Sequence, residues 1–75
     1  MTVAQSLVVA FRNGESMHSI QRECRASAVV VKGCCEGTGC LYWVDYTLSD
    51  GSTVRLVNPY GYDWPGCSPN VEAIN

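Results

Sequence analysis

The stretch CLYWVDYTLSDGSTVRLVN, residues 40–58, constrains the fold more than any other part of the chain. Apolar and polar residues alternate on both sides of Ser49-Asp50-Gly51, the pattern of a hairpin with one buried face. Turn length then decides which side chains meet, because a slip of one residue would carry a strand's whole apolar set to solvent. A two-residue turn at Asp50-Gly51 sets Tyr46 opposite Arg55 and Asp45 opposite Leu56, mixing polar with apolar on each face. A three-residue loop over Ser49-Asp50-Gly51, a type I turn with Gly51 left-handed, sets Tyr46 opposite Val54 and Val44 opposite Leu56. Asp45 then faces Arg55 on the outer side, where Trp43 and Val57 also fall.

A hairpin alone is marginal in water, so a third strand is sought upstream. SAVVVKGCCEG, residues 27–37, offers three successive β-branched residues, and Gly33 inside a helix would cost about 1 kcal/mol relative to alanine. With EGTG as a four-residue loop, Cys35 faces Cys40, Val31 faces Val44 and Val29 faces Tyr46. The valines of this first strand are thereby expected on the buried face, with Val30 and Lys32 outside beside Asp45 and Trp43.

Before the sheet the period changes. Val3, Leu7, Ala10 and Phe11 recur at helical spacing, and Asn13-Gly14 is a helix stop. SLVVAFR read as a strand with Asn13-Gly14 as a type I′ turn is the competing assignment of the same letters. Met17, Ile20 and Cys24 share one face of a second helix, with Gln21, Arg22, Glu23 and Arg25 on the other. Asn13 or Ser16 is placed to cap it.

The fold expected is α+β, with two short amino-terminal helices (about 2–12 and 16–25) on a three-stranded antiparallel meander (about 28–35, 40–48 and 52–58). The tail, 59–75, carries all three prolines of the chain and is expected to wrap irregularly around a sheet edge and fray at its end. At 75 residues the chain has room for one core and one domain, residues 1–75. With 47% hydrophobic and 16% charged residues it lies outside the disordered range.

A net charge of −2 with five basic residues disfavours nucleic acid as a partner, since phosphate binding draws on a basic excess. MTVAQSLVVAF has no positive charge before its apolar stretch and no small-residue cleavage site, and no run reaches the length of a membrane span. A soluble cytoplasmic protein with its five cysteines mostly reduced, and no membrane association, is therefore expected.

Cys35 and Cys40, flanking a glycine-rich loop, together with Cys67 would supply part of a zinc set, but a closed tetrahedral site needs four ligands. Direct cross-strand opposition of Cys35 and Cys40 is also compatible with a disulfide. His18, the single histidine, stands in no oriented pair with Cys24, and no Ser/His/Asp set, carboxylate pair or phosphate loop is present. No enzymatic activity and no cofactor are expected.

In FRNGESMHSIQRECRASAVVVKG, the order Gly14, Ile20, Glu23, Ser27, Val31 resembles helix-turn-helix segments in which a glycine precedes the second helix and a serine opens the recognition helix. Followed by a hairpin, residues 5–58 resemble winged helix-turn-helix DNA-binding proteins. That resemblance implies a DNA-binding regulator with Ala28, Val29 and Lys32 facing the major groove and residues 49–52 as the wing tip.

The leading expectation is a non-catalytic interaction or regulatory module of the inhibitor or adaptor kind, such as mobile genetic elements encode. Its contacts, to a protein partner or to itself, are expected on the outer sheet face and aromatic tail, through Trp43, Val57, Tyr60, Tyr62 and Trp64.

Overall fold

The computed structural model describes residues 1–35, 42–59 and 68–74. Two helices, α1 (Val3–Arg12) and α2 (Met17–Ser27), precede four strands, β1 (Ala28–Cys35), β2 (Tyr42–Leu48), β3 (Thr53–Val57) and β4 (Asn70–Ala73). The strands form one antiparallel sheet in the order β1-β2-β3-β4. Both helices lie on the same face of it, α1 against β4 and β3 and α2 against β2. The architecture is the expected α+β arrangement, enlarged by one strand.

Local chemistry fixes the start of α1 twice over. Thr2 accepts the Gln5 N–H at 3.1 Å, and the Gln5 amide oxygen accepts the Thr2 N–H at 2.9 Å, a reciprocal capping box. The next two helix N–H groups are satisfied from the far side of the sequence. Val3 donates to Asp50 Oδ2 at 2.9 Å and Ala4 to Ser52 Oγ at 3.1 Å. Asp50 Oδ1 in turn accepts the Ser52 hydroxyl at 2.6 Å and the Ser52 N–H at 3.0 Å.

The Ser52 hydroxyl, with the Val3 and Ser52 N–H groups, holds the Asp50 carboxyl below its ordinary 3.8. The folded-state value being the lower one, its stabilisation is present above the ordinary value and is lost as the pH falls through the depressed one. The carboxylate also lies at the positive end of the helix dipole.

Asn13-Gly14 closes α1 as the sequence predicts. Gly14, at φ +100°, donates to Phe11 O at 3.1 Å and Glu15 donates to Ala10 O at 3.1 Å, the paired bonds of a Schellman end. Ser16, not Asn13, caps α2, its hydroxyl oxygen accepting the Ser19 N–H at 3.1 Å.

The β2–β3 hairpin has the expected register: Tyr46 opposite Val54, Val44 opposite Leu56 and Asp45 opposite Arg55. Gly51 adopts φ +87°, with its N–H on Leu48 O at 2.9 Å, and Leu48 N–H meets Ser52 O at 2.8 Å, which defines the three-residue loop. Val44, Tyr46, Leu48, Val54 and Leu56 all point into the core beneath the helices.

Five expectations are corrected. Cys35 stands opposite Tyr42, Gly33 opposite Val44 and Val31 opposite Tyr46, so β1 is displaced by two residues from the register in which Cys35 met Cys40. A two-residue slip leaves every side chain on its face, so the apolar pattern does not detect it. Val29 and Val31, expected on the buried face, are 66% and 59% exposed, because the helices lie mainly over β2, β3 and β4; Val30, expected outside, is 55% exposed.

Within the tail, residues 70–73 pair with β3 instead of wrapping irregularly, and Val71 enters the core opposite Leu56. In the helices, Ala4 takes the buried position beside Leu7 while Val3 is exposed, and Gln21 is buried rather than on the polar face.

Two substitutions test this packing. Ser52→Ala leaves the buried Ala4 N–H without its acceptor and is expected to cost about 1–2 kcal/mol in urea unfolding. Gln21 buries its Nε2 with no hydrogen-bond partner, so Gln21→Met, which keeps the volume and removes the orphan donor, is expected to raise stability by about 1 kcal/mol.

Candidate protein-interaction surface

The outer sheet face is built in rows across the strands. Lys32, Asp45, Arg55 and Glu72 occupy successive cross-strand positions, a band of alternating charge from β1 to β4. Arg55 grips Asp45 with two bonds, Nε to Oδ1 at 2.8 Å and Nη2 to Oδ2 at 3.0 Å. The same guanidinium lies 3.9 Å from the centroid of the Trp43 ring. Trp43 and Val57, opposite one another in the neighbouring row, are therefore on the outer face as expected, and both are half-buried. Arg55 thereby covers part of the Trp43 ring. Tyr60, Tyr62 and Trp64, the other members of the expected aromatic set, lie outside the described residues, as do Cys40 and Cys67.

The edge of the sheet carries a second feature, absent from the expected contact set. Asn58 N–H meets Tyr42 O at 2.8 Å, and Leu48 N–H meets Ser52 O at 2.8 Å, so the even-numbered residues of β2 turn their backbone groups toward β3. The odd-numbered residues of β2 turn theirs toward β1, where Thr47, Asp45 and Trp43 face Val30, Lys32 and Cys34. Val31 and Gly33 consequently direct their N–H and C=O groups away from the sheet. Among the described residues β1 has no strand on that side.

The edge also carries apolar surface on both faces. Val31 projects toward the helix side with Tyr46 and Val30 toward the outer side with Thr47, while Val29 occupies the bulge between Ala28 and Val30. The sequence carries no separate signal for this exposure, since an unbroken apolar run also suits a strand buried on both faces.

Cys24 and His18, the candidates for a nucleophile and its base, both stand on α2. Cys24 is fully buried between the helix and the sheet, and desolvation, with Glu23 adding like-charge repulsion, pushes its thiol up to about 11. His18 is exposed on another side of the same helix. Arg12, Arg22 and Arg25 are exposed along the helices, and no three His, Cys, Asp or Glu side chains converge as metal ligands among the described residues. Among the described residues, concavities open on the helix side, one of about 530 Å³ between α1 and β4 and another of about 300 Å³ near Leu7, Glu23 and Leu48. No described helix is long and apolar enough to cross a membrane.

Comparison with protein-family models, curated proteins and solved structures found no match. Residues 28–35, which the winged-helix resemblance would make a recognition helix, form strand β1.

Burial of Cys24 has a consequence at alkaline pH. Its folded-state value is about 11 against an ordinary 9.0, so the protonated thiol is kept in the fold while the unfolded chain ionises. Stability is unaffected below the lower value and is lost by on the order of 2–3 kcal/mol as pH rises through the higher one. Urea unfolding measured at about pH 8 and about pH 11 is expected to show a larger loss in the parent chain than in Cys24→Ala, whose other titrations are the same.

Proposed function

We propose that this chain is a small non-catalytic protein-interaction module, of the inhibitor or adaptor kind, that recognises an extended segment along the β1 edge and the adjoining outer face. The observation that carries this reading is the coincidence on one strand of outward backbone hydrogen-bonding groups at Val31 and Gly33 with three valines each more than half exposed. Strand addition uses these two ingredients: main-chain bonds supply affinity, and alternate side chains supply selectivity. Exposed apolar edges are otherwise a hazard that chains cover, shorten or charge. The Trp43–Arg55–Asp45 cluster next to it adds an amphipathic platform, with an aromatic ring and a guanidinium held in fixed relation. A non-catalytic role is consistent with the inaccessible Cys24 thiol and its separation from His18.

The test uses a displayed library of extended peptides selected against the immobilised chain. Binders are expected to shift the amide resonances of Val29–Gly33 in the labelled chain more than those of α1 or β4. Val31→Lys, at an exposed position, is expected to weaken them roughly tenfold while leaving the rest of the spectrum in place. Binders that map instead to the groove between α1 and β4, or that ignore Val31→Lys, would refute the assignment.

A further inference from the structure

We infer that the segment recognised by β1 is β1 of a second copy of this chain, paired antiparallel about a twofold axis at Val31, so that two four-stranded sheets join into one. This rests on the interaction reading above and names its partner. A twofold antiparallel pair must bring the outward-facing residues of each strand, Val31 and Gly33, into hydrogen-bonded opposition. Three centres satisfy that condition, and the side chains separate them.

Centring on Lys32 places two ammonium groups directly opposite one another, which is repulsive. Centring on Gly33 sets glycine against glycine, and Val29 and Val30 then find no counterpart among the described residues. Centring on Val31 sets Val31 against Val31 of the second copy, Val30 against Lys32, and Val29 against Gly33. Each pairing in this last register has a physical complement. The two Val31 side chains, 59% exposed in the single chain, cover one another on the helix side beside Tyr46. No atom lies within 4 Å of the position a Cβ would take at Gly33, so the place opposite the second copy's Val29 is open. The aliphatic stem of Lys32 lies along Val30, and its ammonium group remains at the outer face near Asp45.

The bulge between Ala28 and Val30 breaks the strand's regular alternation and limits the pairing to about five residues on each side. An interface this short gives a weak, concentration-dependent dimer rather than an obligate one.

Sedimentation equilibrium of the full chain over a wide concentration range, with cross-protomer NOEs in a mixture of labelled and unlabelled chains, tests the inference. The expected result is a monomer–dimer equilibrium with cross-protomer contacts from Val31 to Val31 and from Val30 to Lys32. Val31→Lys is expected to weaken the dimer roughly tenfold, whereas Val9→Lys, exposed on α1 far from the edge, is expected to leave it unchanged. A chain that remains monomeric yet still binds strand peptides at Val29–Gly33 overturns the second copy as partner and leaves the interaction reading standing. A monomer that binds none of them sinks both. A dimer whose cross-protomer contacts lie on α1, on β4 or in the Lys32- or Gly33-centred register overturns the pairing proposed here.

Discussion

The fold depends on a contact between the amino-terminal helix and the tip of a hairpin 47 residues away. A helix of ten residues is too short to be stable in water by itself, and its first N–H groups are free donors. Here the donors of Val3 and Ala4 are taken by Asp50 and Ser52, which are themselves joined by the turn they form. The same three-residue loop thus fixes the β2–β3 register on one side and the height of α1 on the other. With that end pinned, Ala4 and Leu7 are carried over the sheet, and Val71 of β4 meets them in the core. Turn geometry, helix capping and core formation are coupled through two side chains.

The core so formed is lopsided. Packing over β2, β3 and β4 leaves β1 attached by backbone pairing to β2, with little helix above it. β1 follows α2 without a linker, since Ala28 is at once the cap of the helix and the first residue of the strand. The chain therefore places its longest β-branched run, Val29 to Val31, at the position with the least cover. On the opposite face the Asp45–Arg55 pair, partly screened by solvent, contributes little to stability as an ion pair. Its effect is to orient a guanidinium over Trp43, which makes the outer face a shaped polar and aromatic surface rather than a bare apolar one.

Much of this was legible in the letters, and the misses have definite causes. The hairpin was readable because a one-residue slip exchanges faces, and Tyr46, Val44, Asp45 and Arg55 could satisfy only one register. The position of β1 was not, because a slip of two residues preserves every face, and the alternatives differ only in how many residues separate the two strands. β4 escaped notice because Asn70–Ala73 offers a single core residue, Val71, after a proline-rich stretch. The capping box at Thr2 and Gln5 is present in the sequence spacing, whereas the Asp50–Val3 bond has no local signature at all. Of the expected contact residues, Trp43 and Val57 share the outer face, whereas Val29 and Val31 of the valine edge were expected in the core.

By itself, then, the sequence determined the parts: two capped amphipathic helices, a hairpin with one register, and a β-branched strand before it. Those features arise from interactions between residues close in the chain, where spacing and turn chemistry act directly. Which surfaces remained open was decided only by the tertiary structure. Exposure of Val29, Val30 and Val31 depends on where α1 and α2 settle, and that is set by long-range capping and by the volume beneath each helix. A valine run has the same local preference under a helix as at a free edge, so its letters do not distinguish a core strand from a docking strand.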